Sequence, residues 1–507
     1  MFAMINSIAM KVSVCIDATG LSSYALEPLA GGKSAVERVL EYARSAPGRI
    51  STTVLADPNT PAAAIGALAT VRRDSWDTEA LIGALEGARG EAEAILYCRA
   101  DAPFLDPDVT HRLLESHHTY VSEYTFADGY PEGIAPEILD PSILGQLKTL
   151  AGHDPQPVER NALFSVVQKD INAFDVETEL SPVDLRILRA TLACDSRRNY
   201  LLCDRVASES PGSASDITEL LQTRGEILRT LPAFTSIQVT AGDVQMPLHS
   251  PYRLMRPDAP SARDEMPRDR FERLVSEVAA FAPDGMLHLS LWGEVGLHSE
   301  APALIRAADA TPGLEVVVET SGVGWRDEAL REVAAMGLAS TSFIVDLDTD
   351  DPDGYRAVRG EGFQEARRTA DTLIEAHGNR VYVQAVRMQE TEEQVEAFYR
   401  NWKDRGVPVI IQKYDHFCGR LPDRRVTDIS PVQRFPCRHT QRDLYVLLDG
   451  TVPMCREDLD RAHVLGNVFE DGIEAVWNNG RDTHLRQVRE EYPELCRRCD
   501  EYYTFNY

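Results

Sequence analysis

Leu314-Glu-Val-Val-Val-Glu-Thr-Ser-Gly322 is a short β-branched run closed by a turn-forming glycine, the pattern of a buried strand that opens into a loop. Five further segments repeat it, at 236–242 (SIQVTAG), 287–293 (LHLSLWG), 340–348 (STSFIVDLD), 380–388 (RVYVQAVRM) and 407–415 (VPVIIQKYD). Helical segments such as DRFERLVSEVAAFA, DEALREVAAMG, FQEARRTADTLIEA and EEQVEAFYRNWKDRG lie between them. Strand and helix alternating in this way predict parallel strands with right-handed crossovers, a partial (β/α)6 barrel over residues 231–415. Barrels of this kind keep their chemistry at the C-terminal strand ends, which here carry Asp243, Glu294, Thr320, Ser321, Asp346, Asp348, Arg387 and Lys413.

Upstream, residues 12–17 (VSVCID) and 94–99 (AILYCR) read as buried strands, followed by helical stretches such as SAVERVLEYARS and DVTHRLLESH. This predicts a separate α/β layer domain over residues 1–155. A mostly helical connector is expected over 156–230, with a linker at 207–216 (ASESPGSASD). At 507 residues the chain exceeds a single core, so an α/β multidomain protein is the expectation. Its net charge of −28, with no long basic run, argues against nucleic acid and anionic membranes as partners. The opening MFAMINSIAM is short and lacks a basic n-region, and no other apolar run is of spanning length, which reads as cytoplasmic.

After Lys413 the alternation stops, and residues 416–507 form a loop-rich segment with a hairpin expected in DLYVLLDGTVPMC, turning at Asp449-Gly450. Few aliphatic runs remain to hold this segment, so a metal cross-link is the natural stabiliser. Five of the nine cysteines fall here, and Cys437, Cys455, Cys496 and Cys499 are placed to converge on one metal site. Arg438, Arg456, Arg497 and Arg498 flank them, which suits thiolates better than inert buried thiols.

Barrel and tail together resemble a radical SAM protein with a C-terminal SPASM domain, and the ending Cys499-Asp-Glu-Tyr-Tyr-Thr-Phe-Asn-Tyr507 resembles the spiro-SPASM group. The motifs are Cys437-Arg-His, Asp449-Gly-Thr-Val-Pro-Met-Cys455, Leu465-Gly-Asn-Val468 and the terminal C-x-x-C. The resemblance implies one auxiliary [4Fe–4S] cluster on Cys437, Cys455, Cys496 and Cys499, with zinc as the alternative metal and Cys418 the spare thiol. The family's three-cysteine motif after the first barrel strand is missing. Aligning Ser250-Pro-Tyr252 with the family's Cys-Pro-Tyr puts Asp243, Pro247 and Ser250 at the three positions, and none offers a soft sulfur ligand. The expectation is loss of the cluster that cleaves S-adenosylmethionine, unless His249 or a second chain supplies a ligand. Trp292-Gly-Glu294 stands at the family's Gly-Gly-Glu motif and Glu319-Thr-Ser-Gly322 resembles its ribose-side strand end, so Glu294, Thr320 and Ser321 are candidate cofactor-binding residues. Glu294 reads equally as a carboxylate capping the following loop. Arg387 and Lys413 read as balancing Asp346 and Asp348, or as holding an anionic substrate.

Pro28-Leu-Ala-Gly-Gly-Lys33 and Cys98-Arg-Ala-Asp101 resemble nucleotidyltransferases with a Rossmann-like fold. That resemblance implies Lys33 on phosphate and Asp101 on Mg²⁺, although the loop has no arginine. The functional expectation is a divergent radical SAM/SPASM-like protein in electron transfer or in recognition of a peptide or protein substrate. The competing readings are a nucleotidyltransferase with a C-terminal regulatory module and a zinc-stabilised, non-catalytic scaffold.

Overall fold

Val12–Ala18 (β1) is buried at every position, as a strand covered on both faces must be. The computed structural model describes residues 10–66, 68–251, 254, 264–432 and 434–504. Most of the opening apolar stretch, Tyr252 of the Ser-Pro-Tyr alignment and the last three residues of the spiro-SPASM ending lie outside them. Two compact units are present, 1–228 and 229–507.

In the first unit β1 is joined by Arg49–Ala56 (β2), Ala69–Arg72 (β3), Ala94–Arg99 (β4), Tyr124–Asp128 (β5), Glu137–Leu139 (β6) and Val176–Leu180 (β7). Among the described residues they form a seven-stranded sheet in the order β3-β2-β1-β4-β6-β5-β7, with β6 antiparallel to both neighbours. The helix Ala35–Ser45 opens on a reciprocal capping box between Ser34 and Glu37. The 156–230 segment, expected as a mostly helical connector, is mostly helical but also carries one strand. Val176–Leu180 extends the sheet by pairing parallel with β5, a half-buried edge strand whose acidic alternation hides its strand character. The Pro/Gly/Ser stretch is a turn between the helices Arg197–Ser208 and Ala214–Thr223, with Ser213 capping the second, and the unit continues to Leu228.

The second unit contains the six expected strands, Phe234–Ile237 (β8), Met286–His288 (β9), Glu315–Thr320 (β10), Thr341–Asp346 (β11), Val381–Arg387 (β12) and Val409–Lys413 (β13). A seventh, Asp443–Val446 (β14), pairs parallel with β8, giving the order β13-β12-β11-β10-β9-β8-β14. This replaces the hairpin expected at Asp449-Gly450. The turn exists, with Leu447 N–H bonded to the Thr451 carbonyl at 2.9 Å, but the strand before it joins the sheet. The strand after it, Thr451–Pro453 (β15), pairs antiparallel with Val464–Asn467 (β16). All four β14 residues are buried, which a solvent-facing two-stranded hairpin could not achieve.

Alternation along the strands divides the sheet's two faces. Val316, Val318, Phe343, Val345, Val381 and Val383 pack under the helices in one apolar core, to which Val452, Val468, Val476 and Trp477 of the tail also belong. Arg229 clasps the tail to the start of the unit. Its guanidinium lies 3.7 Å from the Trp477 ring centroid and donates to the Trp477 and Thr440 carbonyls at 2.7 and 3.0 Å.

Gly450 has φ +85°, and a Cβ there would fall 2.3 Å from Phe469 Cδ2 and 2.5 Å from Asn467 Oδ1. Gly450→Ala should therefore destabilise the second unit by about 3 kcal/mol, read as a lower urea midpoint of its tryptophan fluorescence. In the first unit, burial pushes Glu137 up to about 7, above its ordinary 4.5, against the lowering effect of the Tyr124 hydroxyl donating to it. The folded state thus holds this proton more tightly than the unfolded chain. The stability it confers is present below pH 4.5 and is lost as pH rises through about 7. Denaturation of the first unit should become easier across that window, and Glu137→Gln should flatten the dependence.

Candidate metal centre and sheet mouth

Cys437 caps the helix Arg438–Arg442, Cys455 lies just past β15, and Cys496 and Cys499 sit in and after the short helix Glu494–Arg497. All four thiols line one cavity, three of them buried and Cys499 half-buried. Burial, reinforced by the neighbouring thiols, pushes Cys437 well up, and burial and Cys499 push Cys496 up to about 11. Thiols crowded in this way ionise together only around a cationic centre. Among the described residues, no three of them have their sulfurs all within 4.8 Å of one another. Tetrahedral zinc, with Zn–S of about 2.3 Å, would bring its sulfurs to roughly 3.8 Å apart.

The surroundings supply donors to sulfur. Gln487 Nε2 donates to Cys496 Sγ at 3.4 Å and Glu501 N–H to Cys499 Sγ at 3.3 Å, while Gln487 Oε1 accepts from Cys437 N–H at 2.9 Å. Arg434 stacks against Tyr492 and Tyr502 and donates to the Cys499 carbonyl. Soft sulfur ligands with hydrogen bonds to them are the donor set an iron–sulfur cluster uses. The sequence reading missed Arg434 and Gln487, and no local pattern marks either one. Of the flanking arginines it did name, Arg456 lines the cavity, whereas Arg497 and Arg498 are exposed against Glu494. Cys418 follows Phe417 with both residues at positive φ, 55° and 48°, and the neighbouring Cys499 thiol together with burial pushes its own thiol up. Asp415, His416 and Asp500 bring ligand atoms within 4.8 Å of one another, but Arg456, Lys413 and Arg425 already neutralise the two carboxylates.

At the C-terminal ends of the strands a cavity of about 210 Å³ is lined by Asp243, Pro247, His249 and Ser250, and also by Glu294, Thr320 and Ser321. Glu294 is 4% exposed and accepts four bonds, from Thr320 Oγ1 at 2.6 Å, Ser321 Oγ at 2.7 Å, Ser321 N–H at 2.8 Å and Gly296 N–H at 3.0 Å. Its acceptor positions are filled by the chain, so it caps the loop and ties β10 to it. His249 Nε2 lies 3.0 Å from Asp348, which Arg359 also meets at 2.8 Å, while burial pushes Asp243 up. Arg387 is committed to Glu392, and Lys413 to Asp500 and Glu501.

In the first unit Lys33 is exposed and paired with Glu41 at 2.7 Å. Asp101 is buried, and the Arg160 fork takes both of its oxygens at 3.2 and 2.9 Å. The structure places these two residues in different settings, one solvated and one neutralised.

The model of the SPASM iron-sulfur cluster-binding domain matches residues 437–500, that of the Radical SAM superfamily 253–401, and that of a MobA-like NTP transferase domain 22–165. The Radical SAM match begins after Asp243, Pro247 and Ser250. A Treponema pallidum (strain Nichols) protein described as uncharacterized is 36% identical over 359 residues, 68% of this chain and 98% of that protein. Among solved structures, Streptococcus suis SuiB bound to precursor peptide SuiA is 11% identical, covers 54% of this chain and 75% of its own, and has a TM-score of 0.43. A cytidylyltransferase from Leptospira borgpetersenii serovar Hardjo-bovis is 18% identical over 43% of this chain and 96% of its own, with a TM-score of 0.37.

If Glu294 is a capping strut, Glu294→Gln should turn an amide N–H₂ toward groups that are themselves donors. The expected cost is about 2 kcal/mol, measured as a urea shift of the tryptophan transition in the second unit.

Proposed function

The chain belongs to the radical SAM/SPASM-like proteins and carries a MobA-like NTP transferase domain ahead of them, and on that premise we propose that it holds one auxiliary [4Fe–4S] cluster without SAM-cleaving chemistry. The role proposed for it is electron transfer, coupled to recognition of a peptide or protein. Cys437, Cys455, Cys496 and Cys499 are the proposed ligands. One observation carries the reading: four thiols share one cavity, yet no three of their sulfurs come within the reach of a single ion. When bound, the cluster would supply a one-electron carrier. The chain's own part is to hydrogen-bond its sulfurs from Gln487 and the Glu501 amide, and to keep a positive guanidinium, Arg456, against the site.

Absence of radical chemistry is supported by Asp243, Pro247 and Ser250 at the motif positions and by His249 being engaged with Asp348. Nucleotidyl transfer by the first unit is disfavoured because Arg160 already occupies both oxygens of Asp101, the carboxylate the resemblance assigns to Mg²⁺.

Anaerobic purification and assay should yield about four iron and four acid-labile sulfide per chain. Cys496→Ser and Cys499→Ser should each lose the visible absorbance. Zinc without sulfide would sink the cluster, and 5′-deoxyadenosine formed from S-adenosylmethionine under reduction would overturn the loss of radical chemistry.

A further inference from the structure

Three cavities of the second unit share one side chain. Arg456 lines the strand-end mouth, the four-cysteine cavity and a larger space of about 750 Å³ on the inner face of the sheet. Val317, Ile344, Tyr382 and Ile410 form walls of that third cavity. They alternate with the strand residues that pack under the helices, so an apolar inner face stands opposite the core. Glu501 lines the same cavity, and its N–H donates to Cys499 Sγ at 3.3 Å. The inner cavity thus comes within one residue of the thiols on two separate segments, through Arg456 beside Cys455 and through Glu501.

Donors without surplus charge stand over this apolar space. Lys413 closes β13 and lines the cavity, and its ammonium donates to Asp500 at 2.9 Å and to Glu501. An ammonium has three N–H groups, so one is left that no carboxylate among the described residues takes, with the Tyr503 ring centroid 5.9 Å from the nitrogen. Arg456 donates from Nε to Glu457 at 3.1 Å and from Nη2 to Asp415 at 3.2 Å and Glu501 at 3.3 Å. Its Nη1 has no acceptor among the described residues. The charges themselves are met: Lys413, Arg456 and Arg425 face Asp415, Glu457, Asp500 and Glu501, with His416 3.3 Å from Asp500. Farther along the strands Glu315 and Arg380 add one charge of each sign. An anion would meet the carboxylates and a cation the guanidinium and ammonium groups, so the walls favour a neutral molecule that brings acceptors.

We propose that the inner cavity binds a quinone, with one ring carbonyl accepting from Lys413 Nζ and Arg456 Nη1 and the ring lying against Ile344 and Tyr382. A quinone is neutral, planar and apolar, and its carbonyls accept without donating. This names a partner class for the electron-transfer role proposed above and rests on that reading. Two electrons, delivered singly from a centre recharged by a one-electron reductant, and two protons from solvent convert the quinone to its hydroquinone.

Equilibrium dialysis of the full chain tests binding with duroquinone, whose methylated ring has no free position for thiol addition. Durene, the same ring without carbonyls, and tetramethylbenzoate, its anionic counterpart, are the comparisons. Duroquinone should bind at least tenfold more tightly than either, and Ile344→Trp and Ser342→Trp, which fill the inner face, should each weaken it at least tenfold. Equal affinity for duroquinone and durene overturns the proposal, as does tighter binding of the benzoate or retention of none of the three. The wild-type comparison stands even if both variants misfold. In iron-loaded protein reduced with dithionite and freed of its excess, duroquinone should restore the visible absorbance at a rate that saturates with concentration and falls at least tenfold in Ile344→Trp. Tight binding without that restoration overturns the electron-transfer role and keeps the site. Cys496→Ser protein, lacking the centre, should still retain duroquinone, so failure of the cluster and failure of the quinone site are read separately.

Discussion

The parallel pairing of β14 with β8 is the contact on which the second unit turns. It adds a seventh strand to the sheet, and it anchors the segment between Cys437 and Cys455 along its buried middle. From that anchor the chain runs backward to one thiol and forward through the Gly450 turn to the next. The C-x-x-C reaches the same cavity through the Lys413 contacts to Asp500 and Glu501. The position of the four-cysteine cavity is therefore inherited from the sheet, and the tail shares the sheet's apolar core.

How much of this the sequence discloses depends on whether the signal is periodic or spatial. Six strands and the helices between them were legible because β-branched runs closed by turns repeat regularly. That the four cysteines meet in one cavity was legible because the motifs around them resemble a known domain. Asp443–Val446 was misread because Asp449-Gly450 is a strong turn signal, and no local rule says whether the flanking strands pair with each other or with a strand two hundred residues earlier. β7 was missed for a related reason, since an edge strand alternating with Glu is bland in composition. Gln487, Arg434 and the His249–Asp348–Arg359 set were invisible, because each gains its meaning only from groups distant in the chain.

The candidate residues at the strand ends also show why residue type and residue role separate. Glu294, Thr320 and Ser321 stand where a cofactor contact was expected, and they spend their hydrogen bonds on one another. Asp101 stands where a metal ligand was expected and is closed by Arg160. A carboxylate already satisfied by the chain gains little from a ligand and would lose its internal bonds to receive one. Gln384, which no motif singles out, keeps its buried Oε1 without a donor among the described residues while its Nε2 ties Glu319 to Asp346.

The Arg229–Trp477 clasp bears on the order of events during synthesis. β8 begins the second unit, yet its outer neighbour and the clasping tryptophan are made only after all the other strands of its sheet. Until they leave the ribosome, the edge of β8 has no partner and the sheet is unfinished. All four cysteines of the shared cavity lie in this late portion. Completion of the sheet and gathering of the four thiols thus wait on the same late segment, and a nascent chain cut before Asp443 would present an open, aggregation-prone strand edge.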